Sequence, residues 1–456
     1  MTALSATATT VDVTPPAGTP LAGYGARGDA VSTGCHDPLE AALFWLRDEG
    51  SGRDVVWVTL DVVGVDADLA RAVSAAVAGA IGRPDAAVLL CASHTHSSAA
   101  YWFHRPAAQP AMGPEDDAAS AMMRADLVAR IAGAARDLPG RLRAVRLLAA
   151  EGPVGGVGAN RHRADGPHDP TVGLLAAVAE DGTVVAALVN YASHPTVLGH
   201  GNLLWSADWP GATRRALAGA LAGLRPFGGA QAAGAEHPAV LFLQGAAGDV
   251  SARFVRRGQN FEEADRLGGL LAGQALAALL DRAEEVDGEI VVARTTAVLP
   301  TRGGGSPADA RAAEASARAE WIAVRRDHTE GSPEDRLART RHEGALAALR
   351  MAETGLPPSV ELPLSVVAVG RHAWAHVPVE LFASFGLRLR EGSPFHATRV
   401  VGYTDGYLGY VPDAAAYRDG VYESGVSLFG PDGGEQLCAA VFELLEQVAP
   451  GKERAR

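Results

Sequence analysis

The sequence predicts an α/β fold of mixed sheets layered with helices, with a small helical insertion. Three observations carry that expectation. Residues 55–92 read as strand, helix and strand in close succession, residues 172–191 as two apolar strands joined by a turn, and residues 306–351 shift in composition to Ala, Arg and Glu. A β-α-β run of that length pairs its strands in parallel, whereas a tight turn pairs them antiparallel, so both arrangements are expected in one molecule.

In chain order, a Pro/Gly-rich opening at 14–20 precedes the apolar, β-branched run 55–65, which suits a buried strand. Asp66 is placed to cap a helix reaching about Ile81, and Gly82-Arg-Pro84 stops it. A second apolar strand, 86–92, follows. Residues 115–138 read as helix, 141–150 as strand, and 172–191 as a hairpin turning at Glu180-Asp-Gly182. Then come a helix at 212–224, a short buried strand at 239–244 and a helix at 261–280 with apolar residues at three-to-four spacing. Residues 306–351, broken at Gly331-Ser-Pro333, read as two exposed helices forming a hairpin. Strands at 362–369 and 372–376, a helix from about Glu380, a Tyr/Gly-rich stretch at 402–425 and a last helix complete the chain.

At 456 residues the chain exceeds what one compact core usually holds, so either several domains or one large α/β body with an insertion is expected. No fixed repeat or long linker divides it, which favours a single domain over 1–456 with 306–351 inserted. With 48% hydrophobic and 20% charged residues, the chain has the composition of a packed globular protein, which excludes disorder and coiled coil. A formal charge of -13 offers phosphate backbones no attraction, so nucleic acid is not an expected partner. Three cysteines without a C-x-x-C indicate neither a disulfide framework nor a thiolate zinc knuckle. No basic and apolar leader opens the sequence and no stretch is apolar enough to span a bilayer, so the expected location is cytoplasmic.

Four segments could carry chemistry. Ala92-Ser-His94-Thr-His96 follows a buried strand, and on an extended backbone residues two apart point the same way, toward the strand end where α/β proteins keep their sites. An H-x-H pair also describes ordinary surface histidines. Asn190-Tyr-Ala-Ser-His194-Pro ends a second strand, where a histidine could simply cap it; together with the first pair it suggests a metal, because zinc gathers imidazoles and carboxylates from separate segments. Gln244-Gly-Ala-Ala-Gly-Asp249-Val-Ser251 is a small-residue turn at a third strand end. It lacks G-x-x-x-x-G-K-[ST] and Asp249 would repel phosphate, which leaves a close-approach turn or a purely structural one. Late in the chain, Val377-Pro-Val-Glu380, Tyr407-Leu-Gly-Tyr410 and Tyr422-Glu423 offer a carboxylate and phenols that could equally be half-buried aromatics.

Taken together, these segments resemble the neutral, non-lysosomal ceramidase family in its N-terminal catalytic domain. The likeness runs from Asp12-Val-Thr-Pro-Pro and Gly23-Tyr-Gly25 through His36-Asp-Pro-Leu39, Ser93-His-Thr-His-Ser97, Asn160-Arg161, His194-Pro-Thr196 and Gly248-Asp-Val-Ser251 to Pro378-Val-Glu380, Gly386-Leu-Arg-Leu-Arg390, Tyr422-Glu-Ser-Gly425 and Phe429-Gly-Pro431. The resemblance implies one zinc ion per chain held by His94, His194, Glu380 and Tyr410. It implies His96 and Tyr422 for proton transfer and oxyanion stabilisation, and Arg161 for the polar head of the substrate. Gly25 and Asp249, in matching segments, are further candidates for substrate contact, and Ser251 matches a serine proposed as nucleophile. The implied activity is hydrolysis of a linear amide in a small or lipid-like N-acyl substrate. Two imidazoles and a carboxylate suit that role, since zinc in such a site brings the pKa of a bound water to about 7. A zinc esterase or lactonase would use the same site, and a non-catalytic metal-containing binding protein is the third class. The chain departs from the family at Ser98-Ala99, where Gly-Pro is usual, and at Ala246, where Asn is usual, so head-group contacts are expected to differ. Family members usually carry a C-terminal β-sandwich and are exported, so a single-domain cytoplasmic-type member is expected here.

Overall fold

A computed structural model describes residues 3–102, 118–163, 165–224, 237–303, 305–330 and 332–451. Its large sheet contains β1 (Leu4–Asp12), β2 (Glu40–Asp48), β3 (Asp54–Leu60), β4 (Ala87–Ala92), β5 (Arg143–Pro153), β6 (Thr171–Ala179), β7 (Val184–Tyr191), β8 (Ala239–Gln244) and β9 (Glu284–Val286). The strand order is β8-β7-β6-β5-β1-β2-β3-β4, with β9 beside β5. Most neighbours are antiparallel, but β3 and β4 at one end and β7 and β8 at the other are parallel pairs. A second sheet, β10 (Ile290–Pro300), β11 (Ser359–Val369), β12 (His372–His376) and β13 (Ala397–Val401), runs in that order and closes on a parallel pair.

The two sheets face each other, and helices cover both outer faces. Phe44, Trp57, Leu147 and Leu188 from the large sheet share a core with Val367, Trp374 and Val401 from the smaller one. On the other face of the large sheet, Leu43, Trp45 and Val56 pack against Leu69, Val73 and Val77 of α1 (Ala67–Ala80) and Leu127 and Ile131 of α2 (Ala118–Ala135). Leu174, Val189 and Phe242 pack against α3 (Asp208–Leu224) and α4 (Phe261–Arg282). Both faces of these strands are therefore dry, and this is why 55–58 reads as an unbroken apolar run rather than an alternation. The smaller sheet is covered by α7 (Ala383–Glu391) and α8 (Gly433–Gln447).

Several sequence expectations are met closely. Asp66 caps α1 by accepting from the Leu69 N–H, and Gly82, at φ +68°, turns the chain away. The β6–β7 hairpin turns at the expected Gly182, φ +80°. Other boundaries moved. β1 was not read as a strand because Ser, Ala and Thr dominate it, yet it pairs with β2 along its whole length, from Leu4–Asp48 to Asp12–Glu40. α3 begins at Asp208 rather than 212, since the proline of Asp-Trp-Pro-Gly is tolerated in a first helical turn. Glu380 does not start a helix; with Leu381 it pairs in parallel with Tyr410–Val411, and α7 begins at Ala383. The first residues of the helix expected at 115–138 lie outside the described residues. Over the stretch rich in Ala, Arg and Glu, α5 (Pro307–Asp327) and α6 (Pro333–Thr354) run antiparallel, joined by Glu320–Arg341 at 2.8 Å and by Trp321 donating to Asp335 at 2.9 Å.

His376, wholly buried on β12, is expected to make stability sensitive to acid. Burial and then Arg294 lower its pKa to about 3, so the folded protein holds it neutral. The unfolded chain takes up a proton below pH ~6.5, so stability falls as pH drops from there toward 3, by about 2 kcal/mol at pH 5 from this group alone. Urea midpoints at pH 7 and 5 should show the fall, and His376→Phe should reduce it; an equal fall in the variant would assign the effect elsewhere.

Candidate active site

The site forms at the carboxyl ends of β4, β7 and β8. These strands belong to opposite ends of the large sheet, so no sheet ladder brings them together. The segment after β13 does so instead: the Gly402 N–H donates to the Gln244 carbonyl at 2.9 Å, the Ala92 N–H to the Tyr403 carbonyl at 3.1 Å, and the Asp405 N–H to the Leu90 carbonyl at 2.9 Å. His94 and Tyr403 sit at φ +66° and +56°, conformations costly for side-chain-bearing residues, and the Tyr403 ring stacks on His94 with centroids 4.1 Å apart.

Each of three histidines is oriented by its Nδ1. That of His94 lies 2.5 Å from the Val63 carbonyl, that of His96 2.8 Å from the Gly23 carbonyl, and that of His194 2.7 Å from the Ala247 carbonyl. A carbonyl only accepts, so Nδ1 carries the proton and Nε2 is left with a lone pair. The three ligand nitrogens lie within 4.8 Å of one another, with the Nε2 atoms of His94 and His96 3.3 Å apart. Glu380 Oε2 joins them, 2.9 Å from His194 Nε2 and 3.3 Å from His94 Nε2. Burial, followed by Arg161, lowers the pKa of His194 to about 4, and burial together with the two neighbouring imidazoles holds His96 well below its ordinary value. Burial alone would raise Glu380, but His94 and His194 outweigh it and hold the carboxyl well below its usual range. At neutral pH, the neutral imidazoles of His96 and His194 and an ionised carboxylate thus meet His94 in a dry pocket, an arrangement that suits a cation. Zinc ligands at about 2.0–2.1 Å in a tetrahedron stand about 3.3 Å apart, close to the 3.3 Å separations of His94 Nε2 from His96 Nε2 and from Glu380 Oε2.

Residues to which the sequence reading assigned no role complete this centre. Tyr407 donates to Glu380 Oε1, and the Tyr403 hydroxyl lies 3.5 Å from Oε2, so the carboxylate is held from behind. Gly23, at φ +98°, has no room for a Cβ, which would lie 2.7 Å from His96 Cα. Gly248 is equally restricted, since a Cβ there would lie 2.5 Å from the Glu380 carbonyl. The glycines of the Gly-Tyr-Gly and Gly-Asp segments were a signal of this close approach.

The remaining expected residues fall at different distances from the centre. Tyr410 pairs through its backbone with Glu380, and its ring lies 6.3 Å from His194 and 6.1 Å from Tyr422. Arg161 lies 5.3 Å over the Tyr410 ring and donates from Nε to Glu423 at 2.6 Å. Burial works against its charge, but Glu423 and Tyr410 outweigh burial and raise its pKa. Ser251 sits on a bridge to His194, and its hydroxyl accepts from the Arg253 N–H at 3.3 Å. Asp249 is committed inside the scaffold: Oδ2 accepts from Asn160 at 2.7 Å and Oδ1 from the Ala383 N–H at 2.7 Å, which ties the Arg161 loop to the start of α7. Gly25 opens the short turn Gly25–Arg27 beside Tyr24, whose ring lies 4.8 Å from His96. Ser98 and Ala246 are both buried; Ser98 Oγ accepts from the Val63 N–H at 3.2 Å, steadying the residue whose carbonyl orients His94. Among the described residues no helix is long and apolar enough to cross a membrane.

No protein-family model and no curated protein matches the sequence. Solved structures do. A ceramidase complexed with C2 matches with a TM-score of 0.77 and 18% identity, over 100% of this chain and 77% of that one. The neutral ceramidase from Pseudomonas aeruginosa matches with a TM-score of 0.74 and 18% identity, over 100% of this chain and 76% of that one. At that identity the likeness is one of architecture: the chain has the neutral ceramidase fold.

Proposed function

We propose that this protein is a zinc-dependent hydrolase of a linear amide bond in a small or lipid-like N-acyl substrate, with one zinc ion per chain. The observation that carries the reading is the meeting of His94, His96 and His194, whose ligand nitrogens lie within 4.8 Å of one another with each Nδ1 facing a carbonyl, beside Glu380, which stands 2.9 Å from His194 Nε2 and 3.3 Å from His94 Nε2. The likeness to a ceramidase complexed with C2 supports an N-acyl substrate.

His94, His194, Glu380 and Tyr410 hold the ion in this reading. When bound, zinc supplies Lewis acidity toward the acyl oxygen and lowers the pKa of water. His96, kept neutral by burial, has Nε2 free to take a proton from the attacking water and return it to the departing amine. Tyr422 stays protonated because burial raises its pKa, so its hydroxyl can donate to the developing oxyanion. Arg161, beside Tyr410, binds the polar head of the substrate. Gly25 lies at the rim, and Asp249 acts through the Asn160 and Ala383 contacts that place Arg161. Ser251 orients substrate or water.

Four measurements test the proposal. Elemental analysis should find about one zinc per chain, and matched N-acyl amides and esters should both be offered, since an ester-only activity would redirect the reading to an esterase or lactonase. Ser251→Ala should retain measurable turnover, and rapidly quenched wild-type protein should show no acyl adduct by mass spectrometry. An adduct on Ser251 forming and decaying at the rate of turnover would make this a serine hydrolase instead.

A further inference from the structure

Gln244 ends β8 with 0% exposure and has none of the ligand, proton-transfer or substrate roles assigned above. Its carboxamide lies between the two histidine-bearing turns. Nε2 donates to the Ser193 carbonyl at 2.9 Å and to the Ser93 carbonyl at 3.4 Å. Oε1 accepts from the backbone N–H groups of Ser193 and Gly245, both at 3.2 Å. The Gln244 carbonyl accepts from the Gly402 N–H at 2.9 Å, immediately before Tyr403, which stacks on His94. One residue thus touches the chain next to His94, next to His194 and next to Tyr403.

The local sequences explain how one side chain serves both turns. Ala92-Ser93-His94 and Ala192-Ser193-His194 each follow a strand of a parallel pair, so the same carbonyl is presented twice. The hydroxyls of Ser93 and Ser193 are both buried without a hydrogen-bond partner, so it is the backbone of each turn that is held. Only an amide side chain can meet this demand, since it combines two donor hydrogens with an acceptor; a carboxylate has acceptors alone, and a cationic side chain donors alone. Because the two histidine turns follow β4 and β7, which stand near opposite ends of the strand order and do not pair, no ladder hydrogen bond sets the distance between them.

We propose that Gln244 is a positioning residue for the metal centre, a strap that sets the separation of the His94 and His194 turns and so of their Nε2 atoms. The inference rests on the metal-centre reading above. The test is the Zn²⁺ affinity of metal-depleted wild type, Gln244→Glu and Gln244→Met, measured by competition with a chromophoric chelator beside the Tm of each metal-free protein. Gln244→Glu keeps the shape but sets a carboxylate against two carbonyls. Gln244→Met removes the side-chain hydrogen bonds without adding charge and is read if the Glu variant does not fold. Zinc binding about 10- to 100-fold weaker in the folded variants is expected, as for loss of a group that orients ligands from behind. A lowered metal-free Tm with wild-type zinc affinity would make Gln244 merely structural and overturn the strap. Wild-type protein that takes up no zinc would remove the metal centre itself, an outcome distinct from wild-type binding with unchanged variants.

Discussion

His194→Ala is expected to lower zinc from about one ion per chain to near none and amide turnover by about a thousandfold or more, beyond the 10- to 100-fold typical of residues that only orient a ligand. His194 is fully buried, its Nδ1 faces the Ala247 and Val250 carbonyls at 2.7 and 3.2 Å, and its Nε2 stands 2.9 Å from Glu380. Elemental analysis and turnover, with far-UV circular dichroism to confirm folding, check the expectation. Full zinc occupancy in a folded variant would remove His194 from the ligand set.

Glu423→Gln is expected to cost about 3 kcal/mol of stability, the lower end for breaking a buried ion pair by removing one partner. Its carboxylate is 2% exposed and accepts from Arg161 Nε at 2.6 Å, with His162 Nε2 3.2 Å away. Burial would raise its pKa, but Arg161 and then His162 bring it down to about 2. The pair therefore contributes stability above the unfolded carboxyl pKa of about 4.3, and that contribution is lost as pH falls toward 2. In the Gln variant the Arg161 guanidinium keeps its charge with little solvent to replace its partner, its side chain being 13% exposed. The Tm should fall by on the order of 3 °C for a chain of this length, and KM for an N-acyl substrate should rise by about tenfold, as expected for one lost charge-assisted contact. Glu435→Gln, which breaks an exposed pair with Arg388, is the control and should change stability by no more than about 0.5 kcal/mol. Equal losses in the two variants would show that burial of Glu423 does not control the energetics.

Local chemistry made most of the elements legible. Asp66 and Gly82 mark the ends of α1 because a cap and a left-handed turn are decided within a few residues. β1 was not legible, since Ser, Ala and Thr become a central strand only when β2 and β5 stand on either side. The site divides in the same way. His94, His194 and Glu380 stand in motifs whose residue types already point to a metal. Tyr403 bears no motif of its own, and Gln244 and Tyr407 were quoted only as members of a small-residue turn and a Tyr/Gly segment; each acquires its role through a partner far away in the chain.

By itself the sequence determined the fold class, the strand ends that carry histidines and the residue types available for chemistry, because caps, turns and apolar periods act over short range. The tertiary structure alone decided that His94 and His194 meet. They end strands near opposite ends of one sheet, and they are brought together by residues 402–405 and the Gln244 carboxamide, whose hydrogen bonds span more than 150 residues. It also decided how His96 reaches that centre: with His94 at φ +66° the turn is not the extended run that the sequence suggested, and the Gly23 carbonyl that turns the His96 ring and the space for that ring come from the opening of the chain. Contacts between distant segments depend on how whole layers pack, and no period or cap in the local sequence encodes them.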